Sequence, residues 1–322
     1  MINKLTVLAL IFVLFACDKK SKTEKEIDEI PVSVEVERFD KAFFEAKPSD
    51  LGQLQQKYPY LFPPQTPNEV WTDKMQDPLW QELYSEVKKT YPDFSEQTQE
   101  IETLFKHIKY YYPEVKAPRV ITVISEMDYH NKAILADSLL LISLELYLGR
   151  DHKFYANEFP EYIRQNFDKR QMMPDVVSSF AQRRVAPPSA NTLLAQMVYA
   201  GKVLYLKDKL LPEHSDAEKI GYTPEQIAWV AENEGYMWRY FVDNALLYNS
   251  DQKLMARFIT MAPFSKFYLD VDNESPGRVG TWVGWQIVRS FMKNNEVTLQ
   301  QMLAMEEKEL FEKSRYKPKR NE

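Results

Sequence analysis

The chain has 322 residues, 27% of them charged and 44% apolar, and a formal net charge of −6. An aromatic share of 13% supplies a packed core and excludes general disorder, while the acidic balance argues against a general nucleic-acid binder. A single cysteine excludes an intrachain disulfide and a cysteine-based zinc site, and 8 glycines, against a usual ~7% of residues, leave few backbone loops that could cradle a phosphate.

Lys4 precedes an uncharged, mostly apolar run, Leu5–Ala16. As a helix this run would rise about 18 Å, short of the ~30 Å hydrocarbon core. It therefore reads as the h-region of a secretory signal and not as a membrane span. The run stops at Leu14-Phe15-Ala16-Cys17, which looks like a bacterial lipobox cleaved before Cys17. Residues 1–16 are expected to be a signal peptide, and Cys17 is expected to carry acyl chains, palmitate among them. Several chains together anchor firmly. Residues 17–31 are dominated by charge and are expected to form a solvated tether. One folded domain is expected over residues 32–314, followed by a basic tail at 315–322.

Pro31–Arg38 alternates apolar and polar residues and reads as a strand. Phe39–Lys47 and Asp50–Phe62 follow as short helices. Val70–Tyr112 is helical with breaks at Asp77-Pro78 and Tyr91-Pro92. Arg119–Ser125 and Leu139–Leu148 are strand-like apolar runs that can pair in one small sheet. From Glu158 onward helices dominate, over Pro160–Phe167, Met173–Val185, Thr192–Leu211, Thr223–Tyr248, Arg278–Asn294 and Thr298–Lys313. Asn191 or Thr192 can cap one of them, and Thr223-Pro224 opens another. Glu274 and Ser275 are expected to cap the helix that begins near Arg278. The expected class is α+β, predominantly helical, with a small sheet and a helical C-terminal half.

Familiar catalytic motifs do not occur. His107, His130, His152 and His214 are neither followed by Glu nor spaced four apart, so no H-E-x-x-H helix exists. There is no nucleophile elbow, no P-loop and no dinucleotide fingerprint. Asp270-Val271-Asp272-Asn273-Glu274 begins like a calcium loop, but Ser275 and Thr281 stand where Gly and Glu are needed. No cofactor and no metal site is expected. Gly277, Gly280 and Gly284 suit close helix packing. Arg278–Met292 has two apolar or small faces and reads as a central helix, with Val279, Trp282, Val283, Ile287 and Phe291 on one of them. Leu194, Met197, Val198, Gly201, Leu204 and Tyr205 share a face of another helix, and Gly201 would let a neighbour approach. Glu234 falls on the inner line of its helix and needs a partner there; Arg278, Arg289 or Lys202 could supply it. Glu234, Lys202, Glu274, Arg278, Trp282 and Arg289 are the candidate binding or structural polar residues.

The lipobox, Lys219–Trp229 (KIGYTPEQIAW), Ala262–Tyr268 (APFSKFY) and above all Asp272–Arg289 (DNESPGRVGTWVGWQIVR) resemble the gliding-motility lipoprotein GldB family of the Bacteroidota, from Val32 to Leu303. The resemblance implies an envelope lipoprotein required for gliding, working alongside the type IX secretion machinery. Such chains are in turn distantly similar to zincin-class peptidases. That similarity implies a zincin-like domain in which Asp175 and Ser179 stand where zinc-binding histidines belong, Val176 where the general base belongs, and Ala200 where an acidic ligand belongs. Zinc wants nitrogen or sulfur donors, so the scaffold would be emptied of its metal, a pseudoenzyme. The expected function is a non-catalytic binding or assembly component of the gliding or secretion apparatus. Its membrane contact would be the N-terminal lipid, its partners envelope proteins and its location periplasmic. The alternative is a periplasmic hydrolase acting on peptide or glycan through carboxylates such as Glu234 and Glu274.

Overall fold

Residues 21–319 are described by the structure, a computed structural model. The expected signal peptide and the lipidated Cys17 lie outside them. The first element is a helix, α1 (Lys22–Asp28), capped by Ser21 Oγ. Its Ile27 is 1% exposed, Glu24 meets His107 at 3.2 Å, and Lys106 Nζ donates to the Asp28 carbonyl. The expectation of a tether running to residue 31 is corrected here. One buried isoleucine together with polar contacts from Glu24 and the Asp28 carbonyl docks this charged segment against the helix that carries Lys106 and His107.

A sheet and the helices around it follow. Strand β1 (Glu35–Arg38) leads into α2 (Phe39–Phe44), α3 (Leu51–Lys57), α4 (Asn68–Gln76), α5 (Pro78–Thr90) and α6 (Ser95–Tyr111). The breaks expected at the two X-Pro steps both occur, with Asp77 capping α5. Strand β2 (Arg119–Val123) then pairs in parallel with β1, and β3 (Ala133–Ala136) and β4 (Leu139–Ser143) complete a four-stranded sheet in the order β1-β2-β4-β3. β2 and β4 are parallel, as their unbroken apolar runs suit, while β3 is an antiparallel edge. Sequence reasoning missed β3 because it is four residues long and its turn, Asp137-Ser138, lacks the usual glycine; Asp137 adopts the left-handed conformation itself (φ 49°).

The C-terminal half comprises α7 (Glu161–Arg164), α8 (Met172–Ala181), α9 (Leu193–Leu210), α10 (Asp216–Ile220), α11 (Pro224–Asp243), α12 (Lys253–Phe258), α13 (Val279–Asn294), α14 (Leu299–Ala304) and α15 (Glu307–Ser314). Thr192 and Thr223 cap α9 and α11. The expected single helix over Thr298–Lys313 is two, because Met305 is extended and Glu306 caps a new start. Short α10 and α12 had no apolar period long enough to read. Among the described residues no helix is long and apolar enough to cross a membrane.

α9 and α13 form the centre. α9 is buried on nearly every side, from Leu193 to Leu210, as an all-round apolar helix must be. It crosses α13 at Gly201 and Gly284. A Cβ on Gly284 would land on the Met197 carbonyl, and one on Gly201 would land on the Gly284 carbonyl. The close approach expected of these glycines is what the fold uses. Trp285, Val283, Ile287 and Phe291 of α13 are fully buried. The head of α13 differs from expectation. The Val279 amide donates to Ser265 Oγ, and Ser275 Oγ is occupied with Ser265 and Asp272. Glu274 is exposed and caps nothing. The chain turns too sharply at Gly277-Arg278 for the preceding residues to reach back; Arg278 itself has φ 63°.

A cationic cleft as the candidate functional site

A cleft of about 470 Å³ opens between the edge strand, α8 and α10. β3 contributes Ala133 and Ile134 to its wall, and α8 contributes Asp175, Ser178 and Ser179. α8 covers the free edge of the sheet directly, since the Leu135 amide donates to Ser179 Oγ at 2.8 Å. The remaining walls carry Lys132, Lys207, Lys219 and Arg278. Asp175 accepts from Lys132 Nζ at 2.6 Å and from the Tyr147 hydroxyl at 3.0 Å, so its charge is neutralised inside the wall. Lys219 pairs with Asp208 at 3.1 Å. Lys207 and Arg278 are different. Lys207 is 7% exposed and donates to the Lys219 carbonyl at 2.9 Å; Arg278 donates to the Ile220 carbonyl at 2.6 Å and lies over the Tyr222 ring. Both are fixed by carbonyls at the C-terminal end of α10, the end where carbonyls lack helical partners. Burial pulls the Lys207 ammonium down to about 8; Arg278 and Lys132 push it further that way and Asp175 opposes them.

Of the six candidate polar residues read from the sequence, Arg278 lines this cleft and the other five do not; Asp175 and Ser179, singled out by the zincin similarity, line it as well. Glu234, buried at 4% exposure, pairs with none of the three cations expected for it. It accepts from the Tyr316 hydroxyl at 2.8 Å, and Tyr316 packs edge-on against Trp238. The basic tail is thus docked at Tyr316, with Arg315, Lys317 and Lys319 exposed. Lys202 pairs instead with Glu307 at 3.3 Å and donates to the Met305 carbonyl; burial lowers its pKa. Glu307 is also held by Ser189 through its amide and hydroxyl. Arg289 forks onto Asp208 and Asp216 at 2.7 Å each and lies over Trp285, whose Nε1 also donates to Asp208. Trp282 is core, edge-on to Trp285. Glu234 and Glu274 do not meet in the cleft. Lys207, Lys219 and Lys132 were missed: in Leu206-Lys207-Asp208-Lys209 a lysine reads as the solvated end of a helix.

The sequence matches the family described as gliding motility protein GldB over residues 20–318. The chain belongs to that family. No curated protein and no solved structure matches it. GldB proteins are motility components, and the family is one of lipoproteins. In this GldB-family chain the positions aligned above with a zincin site have other occupations. Asp175 is the carboxylate of a half-buried ion pair, Ser179 ties α8 to β3, and Val176 is wholly buried in the core. Among the described residues no three His, Cys, Asp or Glu side chains converge as metal ligands.

Proposed function

We propose that this chain is a lipid-anchored, periplasm-facing component of the gliding apparatus that works by binding envelope proteins, alongside the type IX secretion machinery, and not by catalysis. Family membership supports a motility role. The observation that carries the non-catalytic reading is the clamp on Asp175. A carboxylate that serves as general base must be free to take a proton from substrate, whereas the carboxylate in the cleft wall is engaged by Lys132 at 2.6 Å and by Tyr147. Cys17 supplies the anchor in this reading, and Cys17→Ser should move the protein out of the membrane fraction.

Crosslinked affinity capture from solubilised envelopes tests the binding role, with a component of the gliding or secretion machinery as the expected product. Repeated preparations without a specific partner would count against it. The hydrolase alternative is tested separately with Glu234→Gln/Glu274→Gln. Normal gliding by a folded double variant removes these carboxylates as catalysts. A folded variant that keeps its captured partners but cannot glide would favour the enzyme.

A further inference from the structure

The cleft holds more positive charge than its carboxylates balance. Lys132 is matched by Asp175, and Lys219 and Arg289 by Asp208 and Asp216. Among the described residues Lys207 and Arg278 have no carboxylate partner in an ion pair, and each donates to one backbone carbonyl. Holding a buried ammonium beside a half-buried guanidinium without a paired counter-ion is unfavourable, and an arriving anion would relieve it. Their donors are also underused. An ammonium has three N–H groups and a guanidinium five, and the α10 carbonyls occupy one from each. Those carbonyls hold both heads at one end of α10, and both residues line the cleft. The backbone at Arg278 stays in the left-handed region, φ 63°, a conformation that costs a bulky residue energy and that clusters at binding sites.

We propose that this cleft binds the oxyanion headgroup of a small ligand, a carboxylate or a phosphate, between Lys207 and Arg278. The guanidinium supplies a planar fork that suits either group, and the ammonium supplies a point charge beside it. Ile134, Ile163 and Met261, which also line the cleft, offer apolar contact to the remainder of the ligand. The cleft is of the size that takes small molecules, whose sites are typically ~300–1,000 Å³. This assignment stands on the cleft's own charges and does not depend on the partner-binding reading above.

The test uses the full-length protein in detergent, titrated by calorimetry at fixed ionic strength. One arm adds inorganic phosphate and the other N-acetylalanine, a peptide-like carboxylate. At least one should saturate a single site, and the arm that does identifies the headgroup. Lys207→Met and Arg278→Met should each weaken it about tenfold or more, the effect of one charged hydrogen bond. Lys313→Met, on the exposed face of α15 beside Glu309, should leave it unchanged. Arg278→Lys keeps the charge, loses the fork and should weaken binding several-fold, which keeps the question answerable if the methionine variants misfold. No saturation by either anion at millimolar concentration overturns the proposal. So does equal affinity in Arg278→Lys, or equal loss in Lys313→Met.

Discussion

Replacing Gly284 by alanine adds one methyl group where α9 and α13 cross. The methyl would overlap the Met197 carbonyl, with the Met197 Cα also within 3.0 Å. The obstacle is backbone in the middle of a buried helix, which cannot rotate away as a side chain can. The helices must part by roughly an ångström, and a gap of ~0.5–1 Å already forfeits a quarter to a half of each dispersion contact along it. Overpacking of this kind costs typically ~1–3 kcal/mol and occasionally more; backbone on both sides places it at about 3. Alanine returns about 1 kcal/mol of helix propensity, leaving about 2 kcal/mol of destabilisation. At roughly 2–4 °C per kcal/mol for a domain of this size class, Tm should fall by about 4–8 °C. Gly52→Ala is the internal control. Gly52 lies in α3 and its Cβ would meet nothing within 4 Å, so the same substitution there should raise stability by about 0.5–1 kcal/mol. Calorimetric or circular-dichroism melts of both variants decide the matter. If Gly284→Ala is neutral or stabilising, the crossing is not as close as described and the glycine argument fails.

Three further outcomes are expected. Lys202→Met should cost about 3 kcal/mol, because it strands the buried Glu307 carboxylate; adding Glu307→Gln should recover part of the loss in urea unfolding, and strict additivity would show that the two do not interact. Tyr316→Phe should destabilise by about 2 kcal/mol by removing the hydroxyl donor to the buried Glu234 carboxylate, and a melt indistinguishable from wild type would mean the tail is not docked. Lys207 releases its proton near pH 8 when folded and near ~10.4 when unfolded. Between those values the unfolded chain holds more protons, so stability rises with pH by up to ~1.4 kcal/mol per unit. Denaturation at pH 8 and 10 should therefore show wild type gaining on Lys207→Met, and a constant difference between the two proteins would refute burial of the ammonium.

The sequence by itself determined what is local or periodic. The β-branched run Arg119–Val123 and the apolar run from Leu139 read as strands, and they pair, the second ending at Ser143. Proline and threonine placed the starts of α5, α9 and α11, because capping is settled within four residues. Gly201 and Gly284, on otherwise apolar helices, marked where helices could touch. Tertiary structure alone decided the partners of the charges. Lys202 meets Glu307 across 105 positions, and Glu234 meets Tyr316 across 82. Lys207, one of several charges at a helix end, becomes buried only because α10 folds its last carbonyls over it. Ion pairs and clefts depend on which surfaces meet after packing, and neither periodicity nor propensity carries that information.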